Sequence, residues 1–239
     1  MAAPAPTPPK TEFPMLEAEL SRMAALVESQ LQGAITAFER RDVATAENLI
    51  AGDKRIDVFD RDIETKVLSA LASRNLSIDA VREATIIMKL SGELERVGDL
   101  AKNVAKRTLV VSREAPARPT LGVIRMGRAA LRQFSDILNA YSARNLDAAF
   151  AVWGGDDELD ELYNSVFQEI LASMMKDPMQ VNACTHLVFT AKNFERVGDH
   201  ATNIAEAIHF LITGSPIMEE RPKGDETATT VVTPPRIVT

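Results

Sequence analysis

The chain has one cysteine, Cys184, so no internal disulfide braces it, and a lone thiol fits a reducing compartment. Aromatic residues make up only 5% of its 239 positions, and its three histidines are scattered. That leaves no material for a closed zinc site of nitrogen and sulfur ligands. No window gathers Lys and Arg into a stripe, and the formal net charge is −7. Nucleic acid is therefore disfavoured as a partner, because phosphate contacts need a basic surface. No apolar run reaches membrane-spanning length. The opening MAAPAPTPPK also lacks the apolar segment of a signal peptide. A cytoplasmic protein is expected, with any membrane contact made through a partner.

What the chain does have is helix-forming residues in a helical rhythm. Residues 1–12 and 215–239 read as disordered tails, too polar and proline-punctuated to offset the entropy of ordering. Between them Leu16, Leu20, Met23, Val27, Leu31, Ala34 and Phe38 step by three or four along a first helix. It should end near Arg40 and Arg41, with Asp42 capping a second helix from Val43 to about Ser73. A third runs from about Ser77 to Val111, and PARPT (116–120) marks a linker, 114–120. The pattern then repeats: helices over about 121–144, 146–176 and 179–213, with Asn145 in the capping role of Asp42. On the last of these Phe194, Val197, Ala201, Ile204, Ile208 and Leu211 form a bundle seam. The expected architecture is all-α: two elongated three-helix bundles in tandem, 13–113 and 121–214, with six long helices.

The repeat is visible residue by residue. LERVGDLAKNVA (94–105) and FERVGDHATNIA (194–205) agree at eight of twelve positions. RRDVATAENLIAGDKRID (40–57) matches ARNLDAAFAVWGGDDELD (143–160) at an offset of 103. Such internal repeats set the architecture before any other feature does.

Each ERVGD places two acids at i and i+4, on one helix face and one turn apart: Glu95 with Asp99, and Glu195 with Asp199. The second helix of each unit carries a similar pair, Asp53 with Asp57 and Asp156 with Asp160. Acidic i,i+4 pairs are common in a chain with 34 acids, and Asp60/Glu64 reads as a solvated face. The four named pairs differ in recurring at matching places in both repeats. If helices two and three pack antiparallel, each unit gathers four carboxylates, a set suited to Mg²⁺, Ca²⁺, Mn²⁺ or iron. No ExxH accompanies them, so a ferritin-type di-iron site is not supported.

On spacing alone, a duplicated packing element with exposed acids is the simpler reading. Gly98 and Gly198 then let helices approach closely, and Arg96 and Arg196 pair with Asp99 and Asp199 at i,i+3. Asn103 and Asn203 extend the acidic line by one turn, as added ligands or as plain hydrogen-bonding groups. His200 reads as a surface histidine, Trp153 and Cys184 as packing residues, and no nucleophile–base arrangement is visible.

AFERRDVATAENLIAGDKRID, LERVGDLAKNVA, GGDDELDELY and FERVGDHATNIAEAI together resemble the PhoU family, over essentially all of residues 13–214. One departure is RNLSIDAVR (74–82), where Leu76 stands at the family's turn proline. The resemblance implies metal clusters at Asp53, Asp57, Glu95 and Asp99 in one unit, and at Asp156, Asp160, Glu195 and Asp199 in the other. It also implies a homodimer that is no enzyme. Such a protein links the ATPase of the phosphate ABC transporter to a PhoR-type sensor histidine kinase and keeps the starvation response off. Two other readings remain open: a metal-dependent hydrolase using the same carboxylates, and a helical scaffold that binds no metal.

Overall fold

The computed structural model of the chain describes residues 11–72 and 75–219, apart from the side chain of Asp156. Tail residues 1–10 and 220–239, and the helix end expected at Ser73, lie outside the described residues. The described residues form eight α-helices: α1 Pro14–Arg40, α2 Val43–Gly52, α3 Lys54–Leu71, α4 Ile78–Val111, α5 Thr120–Ser142, α6 Leu146–Gly154, α7 Asp156–Lys176 and α8 Val181–Thr213. No strand occurs among them. The six expected helices are all present, but the second and fifth are each divided in two. In both, the division falls at a Gly–Asp step, where glycine weakens the helix by about 1 kcal/mol against alanine. At the first, Asp53 keeps helical angles while its side chain turns inward; at the second, Gly155 leaves the helical region at φ −94°, ψ 9°.

Each unit turns its first corner in the same way. Arg41 and Arg144 both adopt left-handed backbone angles, with φ of 56° and 50°. For a side-chain-bearing residue that conformation costs on the order of 1 kcal/mol. Both arginines offset the cost through their guanidinium groups: Arg41 donates to the carbonyls of Val111 and Glu114, while Arg144 pairs with Glu17 and Glu83. Asp42 and Asn145 then cap the next helices, accepting from the backbone N–H of Thr45 and Ala148 at 3.0 Å each. Ser77 caps α4. Asp177 and Pro178 open a 3-10 turn, Pro178–Gln180, so the last helix starts at Val181, two residues later than expected.

The apolar stripes read from the sequence are the core. All seven stripe residues of α1 are buried, as are Leu90, Leu94, Val97, Ala101 and Val104 on α4 and all six seam residues of α8. One continuous cluster runs from Leu16 to Leu211 across both units, because α4 and α8 pack against each other as well as inside their own bundles. Trp153 and Cys184 are buried in it. Two glycines permit the closest approaches. A Cβ on Gly98 would stand 2.8 Å from Cδ1 of Ile56, and one on Gly127 would stand 2.8 Å from the ring of Phe194.

The Phe194 ring is fully buried and cannot retreat. Gly127→Ala is expected to lose stability, because overpacking costs about 1–3 kcal/mol against about 1 kcal/mol gained in helix propensity. A thermal melt followed by circular dichroism checks this; a midpoint equal to or above wild type would show that the helices can part there.

Candidate functional site

The kink between α2 and α3 brings the first acidic set to the middle of α4. Asp53 sits at the kink and is only 3% exposed. Asp57 lies in the first turn of α3, while Glu95 and Asp99 look back from α4 one turn apart. Close packing of Ile56 on Gly98 is what brings the two helices together at this level. The antiparallel opposition expected from the repeat therefore exists in the first bundle. Gln30 of α1 closes it from a third side, its amide donating to Oδ1 of Asp53 at 3.1 Å and to the Gly98 carbonyl at 3.3 Å.

Two members of this cluster were missed in the sequence. Asp60, read there as solvated, accepts a 2.6 Å hydrogen bond from the Ser91 hydroxyl and contributes to the field on Glu95. Its signal was present, since it follows Asp57 at i+3. The other is Lys102, whose ammonium bridges Asp53 and Asp99, at 2.6 Å from Asp99. It follows Asp99 at i+3 and takes the pairing role expected of Arg96, which is exposed. Burial works against the charge on Lys102, but its hydrogen bonds to the two aspartates outweigh this and raise its pKa. Among the described residues Glu95 has no bonded cation of this kind, and the nearby charge of Arg96 only partly offsets what acts on it. Burial, and then the negative charges of Asp99, Asp60 and Asp57, push its carboxyl above the usual range.

The second set falls at the matching break, and a different lysine pairs with it. Asp156 is the first residue of α7; Asp160 and Glu195 are buried, and Asp199 is half-buried. Lys192 donates to Oε1 of Glu195 at 2.7 Å, and its ammonium lies 5.0 Å from the centre of the Tyr163 ring. Lys102 and Lys192 are not equivalent in the repeat: Thr202 stands where the second unit would carry Lys102, and Gly92 where the first would carry Lys192. Each set thus acquired an ammonium from a different position.

His200 is a correction. The sequence placed it on the surface, but it is buried, and its Nδ1 lies 2.6 Å from Oε2 of Glu93. Asn203 donates to the same oxygen at 3.2 Å. Burial opposes the charge on Glu93, yet the bonds from His200 and Asn203 more than offset it and hold the carboxyl below its usual range. This bond ties α4 to α8, so His200 and Asn203 join the two bundles. Asn103 is half-buried and Arg196 is exposed.

Chemically, the two sets are hard oxygen donors, the kind that suits Mg²⁺, Ca²⁺ or Mn²⁺. Among the described residues, no three His, Cys, Asp or Glu side chains close on a common point as a metal would require. In the first set Lys102 stands between Asp53 and Asp99, so a divalent ion enters there only by displacing it. The donor chemistry fits a hard cation, and the closure belongs to a lysine ion pair.

Fold and site together define a class: tandem helical bundles, each with a divided second helix and acids at matching places. The PhoU domain model matches the chain twice, over residues 20–108 and 123–208. The chain is 45% identical over 215 residues to the phosphate-specific transport system accessory protein PhoU homolog of Caulobacter vibrioides, covering 90% of this chain and 94% of that one. It is 38% identical over 219 residues to the homolog of Rhizobium meliloti, covering 91% and 92%. Among solved structures, PhoU from Pseudomonas aeruginosa superposes with a TM-score of 0.82 at 29% identity, over 85% of this chain and 98% of that one. The phosphate transport system regulatory protein PhoU from Streptococcus pneumoniae gives 0.80 at 26%, over 86% and 97%. The chain belongs to the PhoU family, the accessory regulators of phosphate transport. Among the described residues, no helix is long and apolar enough to cross a membrane.

The raised pKa of Glu95 has a consequence for stability. A carboxyl whose folded pKa exceeds its unfolded value weakens the fold when charged; the penalty is absent in acid and grows as pH rises through the raised value. With chelator present, Glu95→Gln is expected to melt higher than wild type at neutral pH. The gap should close below the ordinary glutamate range, where Glu95 is neutral as well. A variant that melts lower at neutral pH would remove the like-charge explanation.

Proposed function

We propose that this protein is a cytoplasmic, non-enzymatic regulator of phosphate homeostasis that restrains phosphate-starvation signalling. In this reading it couples the ATPase of a phosphate ABC transporter to a PhoR-type sensor histidine kinase and acts as a homodimer. The observation that carries the proposal is the match to the PhoU domain in both repeats, with relatives named as accessory to the phosphate-specific transport system. Two rigid bundles joined along α4 and α8 suit an adaptor, because they hold separate surfaces at a constant spacing.

Metal binding is the second part of the proposal. Asp53, Asp57, Glu95 and Asp99 would hold a divalent or iron-type ion in one bundle, and Asp156, Asp160, Glu195 and Asp199 in the other. The ion would supply charge neutralisation. Its support is the oxygen-only donor set, together with the burial and neighbouring acids that raise the Glu95 pKa.

The two parts are tested separately. A strain lacking the protein is expected to express phosphate-starvation genes in phosphate-rich medium, with the wild-type chain restoring silence; silence without the protein would end the regulatory reading. For the metal, full-length protein purified without chelator is compared with Asp99→Ala/Asp199→Ala by elemental analysis. The variant is expected to lose most of the bound metal, whereas equal, negligible metal in both would remove the metal sites and leave the regulatory part standing.

A further inference from the structure

No stretch of the sequence is basic, yet the packing of α4 on α8 assembles a basic stripe. Along α4, Arg82, Lys89 and Arg96 recur at every seventh residue, and Arg107 follows eleven further on. These spacings keep all four on one helix face. Glu93 meets His200 and Asn203 while Arg107 meets His186, so the two helices run antiparallel with this face along their seam. The same register brings Arg196 of α8 to the level of Arg96. Helices α1 and α5, packed on each other, close one side of the α4–α8 pair. Lys89, Arg96 and Arg196 are exposed on the other.

Among the described residues, Lys89, Arg96 and Arg196 take part in no ion pair or side-chain hydrogen bond, although the charge of Arg96 is felt by Glu93 and Glu95. Arg107 lies over the ring of Phe189, its Cζ 4.4 Å from the ring centre, and Phe189 is 48% exposed. The stripe therefore ends on an aromatic platform. The acids nearest to it are engaged, Glu93 by His200 and Asn203, and Glu114 by Asn182 at 2.6 Å. By helix rise, Lys89 and Arg107 stand about 27 Å apart. Acids line both margins of this track: Asp57, Asp60 and Asp99 on the α3 side, Glu195 and Asp199 on the α7 side.

We propose that the α4–α8 stripe is a docking track for an acidic segment of a partner protein. Lys89, Arg96 and Arg196 would meet its carboxylates, and Phe189 would take an apolar side chain. Charge complementarity carries the assignment: unpaired cations gathered on one face of a chain of net charge −7 focus the field along the seam. The acidic margins set the width of the occupant. A single helix or extended segment lies along the seam clear of them, whereas duplex nucleic acid or an anionic bilayer would press phosphates onto them. The proposal needs neither the regulatory reading nor the metal, and it falls or stands without either. Exposed contacts of this kind are screened by salt, so binding weakens as ionic strength rises.

The test titrates full-length protein into a fluorescein-labelled oligo-glutamate peptide at low salt, read by anisotropy, with helicity and melting checked for each variant. The seam variant is Lys89→Glu/Arg96→Glu/Arg196→Glu. A control, Lys54→Glu/Arg118→Glu/Arg125→Glu, reverses as many exposed cations elsewhere. Wild type is expected to bind, the control to keep most of that affinity, and the seam variant to bind about tenfold more weakly or worse. Arg96→Lys/Arg196→Lys should bind as wild type does. Should the reversal lower the melting midpoint, Lys89→Gln/Arg96→Gln/Arg196→Gln carries the same expectation. A wild type that does not bind the peptide, or equal loss in seam and control variants, overturns the proposal. So does a wild type that sediments with phosphatidylglycerol vesicles through these residues but ignores the peptide, which would make the face a membrane contact. A double chain mass by light scattering that only the seam variant abolishes would assign the face to a second copy and overturn it as well.

Discussion

The side-by-side packing of α4 and α8 is the constraint on which the rest of the molecule depends. Each is the third helix of its bundle and carries an ERVGD turn, and each faces both its own bundle and the other. Their buried seams merge two three-helix units into one core. The Glu93–His200–Asn203 cluster sets the register of that seam. A largely buried carboxylate is tolerated only with well-placed hydrogen-bond partners, so sliding one helix along the other would strand Glu93.

From that axis the carboxylate sets follow. Helix α4 presents Glu95 and Asp99 toward α3, and Gly98 between them lets Ile56 come close enough to bring the kink at Asp53 alongside. The kink turns Asp53 inward, where Gln30 and Lys102 hold it. Glycine, acids and kink are thus one device: the close approach makes the carboxylates neighbours, and their repulsion creates the demand for a cation. In this structure lysines meet part of that demand. A metal ion at these oxygens would have to compete with the Lys102 ammonium, and burial together with the charges of Asp99, Asp60 and Asp57 still raises the Glu95 pKa.

The two repeats have diverged chiefly where the fold tolerates it. Acids facing the kink recur in both, whereas the cation that answers them comes from Lys102 in one and Lys192 in the other. On the outer edges nothing holds the charge to one sign, and Lys54 and Arg55 stand opposite in sign to Asp157 and Glu158.

Much of this was legible in the sequence, because it rests on periodicity and local chemistry. The stripes of α1, α4 and α8, the caps at Asp42 and Asn145, and the pairing of acids across repeats depend on neighbours three or four residues away. The breaks at Asp53 and Gly155 were harder to read, since both segments keep a helical pattern through the break. Tertiary structure alone decided the burial of His200, because its partner Glu93 lies on another helix 107 residues away. It likewise decided that Lys102 reaches across to Asp53 as well as to Asp99 on its own helix. Helix period tells which residues share a face; what stands opposite that face is settled only when helices distant in sequence pack together.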